Sequence, residues 1–356
     1  MFTRPNHGWI GIDVGASSVK LAQMVREGGR LRLEDAAIVA RGKRWQEADL
    51  SQAAALSSAD EVAEALASVP HCAGRAAAAL LPTAACEFNT ADAVETGESN
   101  QVAAIAAQLA TVGIDLGSRV FDYWPGLPPG HGARAKQGSI NILSTSRTWS
   151  KTLTGDIVNA GLDCRTIDGL PLTIARAITE TDDSRNETTA AIDWGYSGAT
   201  FVLIDQGLPL YVRRLKSTAF SEVTTRVAED LNLADEEASE LLQSVNIAGR
   251  KTDDEVSRVV AELLEPVLAL LVGEVERTLG YVQSAGQRLA PNRIYLLGGG
   301  ATIGGIDACL TQRLRRPVVI WRLDAESEEI ARGKSFSTCL LGPAVALSAL
   351  RWSSAA

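Results

Sequence analysis

The sequence predicts a duplicated two-domain α/β fold, and three observations carry that prediction. First, Ile10-Gly11-Ile12-Asp13-Val14-Gly15-Ala16-Ser17-Ser18-Val19 aligns with Ala190-Ala191-Ile192-Asp193-Trp194-Gly195-Tyr196-Ser197-Gly198-Ala199. Ile, Asp, Gly and Ser coincide at a constant offset of 180 residues, from Asp13 to Asp193. Second, each copy opens a run of alternating apolar segments separated by turn residues, the pattern of an antiparallel meander. Third, Tyr295-Leu296-Leu297 enters Gly298-Gly299-Gly300 and then a helical pattern.

With 356 residues, 46% of them hydrophobic, the chain is long enough for two cores. Its net charge of -9 argues against a nucleic-acid backbone or an anionic lipid surface as the main partner. Five cysteines (Cys72, Cys86, Cys164, Cys309 and Cys339) form no C-x-x-C pair and read as reduced residues of a cytosolic protein. The histidines His7, His71 and His131 do not cluster with them, so a His/Cys zinc site does not fit. No targeting segment is visible. The most apolar runs, 266–272 and 339–350, fall short of the ~18 residues that span a bilayer. Any membrane association is therefore expected through a partner.

In chain order, strands are expected at 10–14, 19–25 and 30–40, joined through Gly28-Gly29. A helix at 60–68 and a small-residue strand at 76–81 follow. The segment 98–109 reads as a helix with Val102, Ile105 and Leu109 on one face. Strands at 120–124 and 139–143 flank a proline- and glycine-rich loop at 125–132. A helix at 148–159 stops before Gly161, then a strand at 164–167 and a helix at 171–179 follow. The polar stretch 181–189 is expected to be the interdomain hinge. The second meander takes 190–194, 199–205 and 208–215, with Gln206-Gly207 as its hairpin turn. Helices at 218–231 and 235–245 precede a long one at 253–285. The long helix carries an apolar face of Val256, Val260, Leu263, Val267, Leu271, Val275, Leu279 and Val282, and Pro266 is expected to kink it. A strand at 293–297, a helix at 303–314, a strand at 318–321 and a closing helix at 340–351 complete the chain. The acidic run 324–329 reads as a solvated face.

The two acid-x-Gly turns suit a phosphate chain with a divalent metal. Glycine lets backbone N–H groups approach phosphate oxygens. Serine hydroxyls add donors. An aspartate at a strand end holds metal-bound water, because Mg²⁺ keeps much of its hydration shell. The candidate ligands are Asp13, Gly15, Ala16, Ser17, Ser18 and Lys20 in the first copy. In the second they are Asp193, Gly195, Tyr196, Ser197 and Gly198, with Asp13 and Asp193 facing the metal through water. Gly298, Gly299, Gly300, Thr302 and Ile303 form the third candidate element. Backbone this bare either accepts a flat adenine and ribose or serves as a glycine cap. Lys20 reads either as a phosphate ligand or as a solvated strand lysine. Trp124 reads either as a partner contact or as packing.

The order of these three loops resembles the actin/Hsp70/sugar-kinase superfamily, with its two phosphate motifs and its adenosine motif. Within it the chain is similar to the PilM family of type IV pilus assembly, a relative of the cell-division actin homologue FtsA. Gly11-Ile12-Asp13-Val14-Gly15-Ala16-Ser17-Ser18-Val19-Lys20-Leu21 carries that resemblance, together with Gly273-Glu274-Val275-Glu276-Arg277-Thr278-Leu279-Gly280-Tyr281 and the Phe121-Asp122-Tyr123 strand. The resemblance implies an actin-like (ribonuclease H-like) fold with an inserted FtsA-type subdomain 1C. It divides the chain into 1–75 with 158–185 (1A), 76–157 (1C), 186–217 with 286–356 (2A) and 218–285 (2B). It further implies ATP or ADP with Mg²⁺ between the domains, and the N-terminal cytoplasmic peptide of a PilN-like inner-membrane protein at 1A/1C. Other pilus assembly proteins and a homo-oligomer are compatible partners. The expected location is cytoplasmic, peripheral to the inner membrane through that partner. An FtsA-like filament former and a small-molecule kinase are the alternatives. The chain ends at Arg351-Trp352-Ser353-Ser354-Ala355-Ala356 with no amphipathic tail, which favours the pilus reading over the filament former.

The second loop departs from the family pattern. Trp194 and Tyr196 flank Gly195, Gly198-Ala199 stand where hydroxyls are usual, and Tyr196 is expected to crowd the outer phosphates. The segment Asp235-Glu236-Glu237-Ala238 resembles a nucleotide-contacting helix and brings in Glu237, although Leu242 replaces its lysine. Asp168 reads either as the acid that polarises attacking water or as a turn aspartate ahead of Pro171. These departures predict binding with slow or absent hydrolysis.

Overall fold

The computed structural model describes residues 6–45, 57–93, 98–111, 117–128, 138–181, 187–248, 255–285 and 289–353. The middle of the expected hinge and the far part of the proline-glycine loop lie outside these residues, as do the last three residues of the chain. The first half begins with β1 (Asn6–His7), β2 (Ile10–Val14), β3 (Ser18–Glu27), β4 (Arg30–Ala40), α1 (Ala59–Ala67) and β5 (Ala76–Leu80). Then come β6 (Cys86–Asp92), α2 (Glu98–Thr111), β7 (Arg119–Pro125), β8 (Ser139–Ser146), α3 (Arg147–Asn159), β9 (Asp163–Asp168) and α4 (Leu170–Thr181). The second half holds β10 (Thr189–Gly195), β11 (Gly198–Asp205), β12 (Leu208–Leu215), α5 (Phe220–Leu231), α6 (Asp235–Ser244) and α7 (Glu255–Ala285). It closes with β13 (Ile294–Leu297), α8 (Ile306–Leu314), β14 (Val318–Ile320), α9 (Ala325–Gly333) and α10 (Gly342–Ala349).

The predicted duplication is present in the sheets. The first runs β1-β3-β2-β5-β9, with β4 paired to β3; the second runs β12-β11-β10-β13-β14. In each, a three-stranded antiparallel meander is continued by two parallel strands. The second meander turns at Gln206 (φ 51°) and Gly207 (φ 79°), the double left-handed geometry of a tight hairpin.

Between the sheets lie α4 and α10. Leu170, Ile174 and Ile178 of α4 and Ala344, Val345 and Leu347 of α10 share one core with Ala22 and Met24 of the first sheet and Ala191 and Val202 of the second. The approach of α10 to β2 is very close. A Cβ at Gly11 would sit 1.9 Å from the Ala344 carbonyl oxygen, so only glycine fits there. On the outer face of the first sheet, α1 and α3 pack against Ile12, Val19 and Leu21. On the outer face of the second, α5, α6, α7 and α8 cover Ile192, Phe201 and Leu296.

The insert is a third sheet, β6-β8-β7, backed by Ile105 and Leu109 of α2. Trp124 and Asn141 settle it against the second half. Trp124 Nε1 donates to the Pro209 carbonyl at 2.7 Å, and Asn141 Nδ2 donates to the Pro209 and Leu210 carbonyls at 3.1 and 3.0 Å. Trp124 is thus a packing residue whose indole N–H satisfies the edge of β12.

Several expectations change. The insert does not begin at residue 76, because β5 pairs with β2 and β9 inside the first sheet. It ends before α3, whose Trp149, Leu153 and Ile157 belong to the first core. Strand β6 was not foreseen, since Cys86–Asp92 pairs along one edge of β8 and never shows a run of buried apolar residues. Residues 325–333 form the amphipathic helix α9, with Ser327, Glu328 and Ala331 buried, rather than a solvated face. Val102 and Val256 are exposed at 43% and 47%, off the faces assigned to them. The long helix expected at 253–285 is, by contrast, a single element, α7, with Pro266 inside it.

Candidate functional site

Both repeat copies form two-residue hairpins at the same place in their sheets. In the first, Asp13 pairs across from Lys20 and Val14 from Val19, and the Gly15 N–H donates to the Ser18 carbonyl at 2.9 Å. In the second, Asp193 pairs from Thr200, Trp194 from Ala199 and Gly195 from Gly198. Ala16-Ser17 and Tyr196-Ser197 are therefore equivalent tips. They meet at one cleft of ≈ 300 Å³ between the halves, lined also by Asp13, Gly15, Ser18, Lys20, Asp193, Gly195, Gly198, Gly298 and Gly299.

The charges in this cleft are tightly coupled. Lys20 Nζ lies 3.0 Å from Asp13 Oδ2. Burial opposes the Lys20 charge, but Asp13 and Asp193 outweigh it and raise its pKa. Asp193 is pushed up to about 6, chiefly by burial; Asp13 adds to the shift and Lys20 opposes it. Two carboxylates thus converge on one lysine in a partly enclosed space. Such a donor set fits a hydrated divalent cation and a phosphate chain, the cation adding positive charge beside the two carboxylates. Among the described residues no group of three or more His, Cys, Asp and Glu is placed to hold a metal by itself, so phosphate and water would complete the coordination.

The triple glycine serves two purposes. Gly298 (φ 82°) lets the loop pass against Asp193, since a Cβ there would lie 2.7 Å from Asp193 Oδ1. Gly300 is instead required by packing: a Cβ would stand 2.2 Å from the Trp194 ring. That ring is fully buried, donates from Nε1 to the Thr218 carbonyl at 2.8 Å and meets Phe220 edge-on. Trp194 therefore points into the second core and leaves the cleft free. Thr302 donates to the Gly299 carbonyl and Ile303 is buried at 1%, so neither reaches the cleft wall. Glu237 accepts the Ala234 N–H at 2.8 Å and caps α6. Leu242 is buried in the second core.

Tyr196 does line the cleft, with the Arg44 guanidinium 5.6 Å from its ring centroid. Arg44, on the first half, pairs with Asp235 and Glu236 at the start of α6 on the second. The sequence reading missed Arg44, and it missed Thr200 and Arg214, which also line the cleft. The two β-strand residues were legible in principle, because carrying the repeat along the ladder makes Thr200 the counterpart of Lys20 and brings in Arg214 from the next strand.

Asp168 lies elsewhere. It accepts the Gly169 N–H and pairs with Arg176 at 2.8 Å. It faces a second cavity of ≈ 480 Å³ between β9 and the inserted sheet, walled by Val120, Phe121, Leu143, Cys86, Cys164 and Leu172 among others. Both β7 and β9 are terminal strands of their sheets, and both contribute to its walls. Leu81 lines this groove and the cleft alike.

The profile of the family described as "Type IV pilus assembly protein PilM" matches residues 151–332, half of the chain. The chain belongs to the PilM family. The matched span contains the Asp193 hairpin, β12 and the triple glycine, while the Asp13 hairpin lies outside it. Among solved structures, the "PilM-PilN type IV pilus biogenesis complex" is similar with a TM-score of 0.75 at 20% identity, over 98% of this chain and 99% of that one. The ethanolamine utilization protein EutJ from Carboxydothermus hydrogenoformans is similar at 0.56 and 15% identity, over 97% and 90%. MreB5 of Spiroplasma citri bound to ADP is similar at 0.51 and 11% identity, over 99% and 99%. These likenesses establish the actin-like fold. No curated protein matches the chain in sequence. No helix among the described residues is long and apolar enough to cross a membrane.

Proposed function

We propose that this PilM-family protein is a nucleotide-binding scaffold of a type IV pilus-like assembly machine. The observation that carries the reading is the convergence of two equivalent aspartate hairpins and Gly298-Gly299 on one interdomain cleft. ATP or ADP would lie there, its phosphates between the tips and a hydrated Mg²⁺ facing Asp13 and Asp193. Mg²⁺ neutralises phosphate charge when bound; the chain's own part is to orient the phosphates with backbone N–H groups of Ala16–Ser18, since the Gly15 N–H closes the turn, and to balance charge with Lys20. That one solved protein of similar fold is bound to ADP supports nucleotide binding by a chain of this fold. Asp168 sits in the groove beside Arg176, so it is not placed to polarise water in the cleft, which agrees with slow or absent hydrolysis.

The groove between β9 and the insert is the site for an extended peptide. Two terminal strands offer backbone pairing, and Phe121, Leu143 and Leu172 offer apolar contact. A PilN-like N-terminal segment is the fitting occupant, given the complex in which the relative was solved. The insert would then be a subdomain 1C of FtsA type, and the protein would sit at the inner membrane through this partner.

Calorimetric titration with Mg-ATP and Mg-ADP tests the cleft. Asp13→Ala should abolish binding measurable in the wild type, whereas unchanged affinity would remove the cleft as the nucleotide site. A labelled PilN-like peptide tests the groove independently: Phe121→Asp should weaken it by at least tenfold, about 1.4 kcal/mol, and leave nucleotide affinity unaltered.

A further inference from the structure

The ladder register places one row of side chains from each sheet on the cleft. In the first sheet the row is Leu80, Asp13, Lys20 and Ile38; in the second it is Asp193, Thr200 and Arg214, while Leu297, paired to Asp193, is buried in the core. Directly paired residues point to the same face of a sheet, and Asp193, Thr200 and Arg214 all line the cleft. The cation of the first row stands on the second strand and is held by Asp13. The second row has Thr200 at that point, and its cation is one strand further out. The Arg214 guanidinium lies against the hairpin tip: it is the atom group nearest a Cβ built on Gly198, at 3.7 Å. Strand order sets which end of a ligand it meets. Gly298 leaves β13 on one side of β10, and Arg214 lies on β12, two strands away on the other.

We propose that Arg214 reads the terminal phosphate of a nucleoside triphosphate and so makes the cleft distinguish triphosphate from diphosphate. This rests on the nucleotide reading of the cleft. With the base end at Gly298-Gly299 and the inner phosphates between the two aspartate hairpins, the third phosphate extends toward Thr200 and Arg214. Gly198-Ala199 supply no hydroxyl there, and a guanidinium with its planar fork of donors replaces them with charge-assisted hydrogen bonds. Lys20, paired with Asp13, balances the carboxylates on the opposite wall.

Calorimetry on the full chain with Mg-ATP, Mg-ADP and adenosine, for the wild type, Arg214→Gln and Arg214→Lys, tests the assignment. Arg214→Gln should weaken Mg-ATP by about tenfold or more and shift Mg-ADP by less than about threefold, leaving adenosine unchanged. Arg214→Lys should recover part of the loss, since it keeps the charge without the fork. A residue that merely braces β12 would lower both nucleotides together or neither, and either result overturns the proposal. If Arg214→Gln does not fold, Arg214→Lys carries the same comparison, and an unaltered ATP-to-ADP ratio there overturns it too. If the wild type binds neither nucleotide, the cleft reading falls with it. If it binds both and the ratio is insensitive to residue 214, the Arg214 assignment falls alone.

Discussion

Where the first hairpin carries Val14, the second carries Trp194, and where the first tip has Ala16, the second has Tyr196. The strands around them are otherwise equivalent, from the register of the turns to the order of the sheets. The substitutions are therefore local answers to different surroundings. Val14 faces a core closed by α1 and α3, whereas Trp194 packs edge-on against Phe220 of α5 and forces Gly300 to stay bare. The second hairpin is more deeply anchored than the first, and its return strand carries Gly198 where the first has Ser18 and Thr200 where the first has Lys20.

The sharpest way to break this comparison is by deletion of the anchor. Trp194→Ala should cost about 3–5 kcal/mol in chemical denaturation, the range for a fully buried tryptophan. Val14→Ala removes two methylene equivalents and should cost about 1–2 kcal/mol. Equal losses would mean that the hairpins are anchored alike. Gly300→Ala should approach the tryptophan deletion in effect, because neither the backbone nor the indole has room to yield.

The next contrast is electrostatic. Asp193 has a folded pKa of about 6 against an ordinary 3.8. A raised carboxyl pKa means that the folded chain holds the proton more tightly than the unfolded one. This group's contribution to stability therefore falls as pH rises from about 4 to about 6 and stays low above that. The expected span is on the order of 3 kcal/mol. Asp193→Asn should remove that decline and raise the melting temperature of the ligand-free protein at pH 7. Lys20→Met should push the Asp193 titration higher still, since Lys20 is the group that opposes the shift. A melting profile for Asp193→Asn that keeps the wild-type slope between pH 4 and 6 would assign the titration to another residue.

Much of the architecture was readable because it repeats. The Asp13 and Asp193 copies fixed both meanders, and Gln206-Gly207 and Gly161 ended their elements where expected. Strand β6 escaped because only its pairing to β8 makes it a strand; its residues are half exposed on both faces. The insert boundary escaped because the alanine run of β5 says "buried" without saying in which sheet. Among site residues, the glycines misled for a physical reason. A glycine marks a place with no room for a side chain, and at Gly300 the occupant of that room is Trp194 rather than a ligand. Arg214 escaped because a cation on an alternating strand looks solvated until the ladder places it beside Thr200.

The smallest effect is expected at the tips, and it separates crowding from bridging. Tyr196 lines the cleft, yet its ring also packs against the core of the first half and lies beneath Arg44, which itself pairs with Asp235 and Glu236 across the cleft. The ring thus does two opposed things. It joins the halves, through a cation–π contact worth about 0.5–1 kcal/mol at a half-exposed site, and it occupies space that the outer phosphates need. Tyr196→Ser should lower the stability of the ligand-free chain by about 1 kcal/mol and raise Mg-ATP affinity a few-fold (~2–5). Arg44→Ala should share the first effect and lack the second, because it releases the bridge and leaves the ring in place. A loss of Mg-ATP affinity in Tyr196→Ser would show that the ring is part of the binding surface, and the second tip would then differ from Ala16 by design for the ligand rather than by contact between the halves.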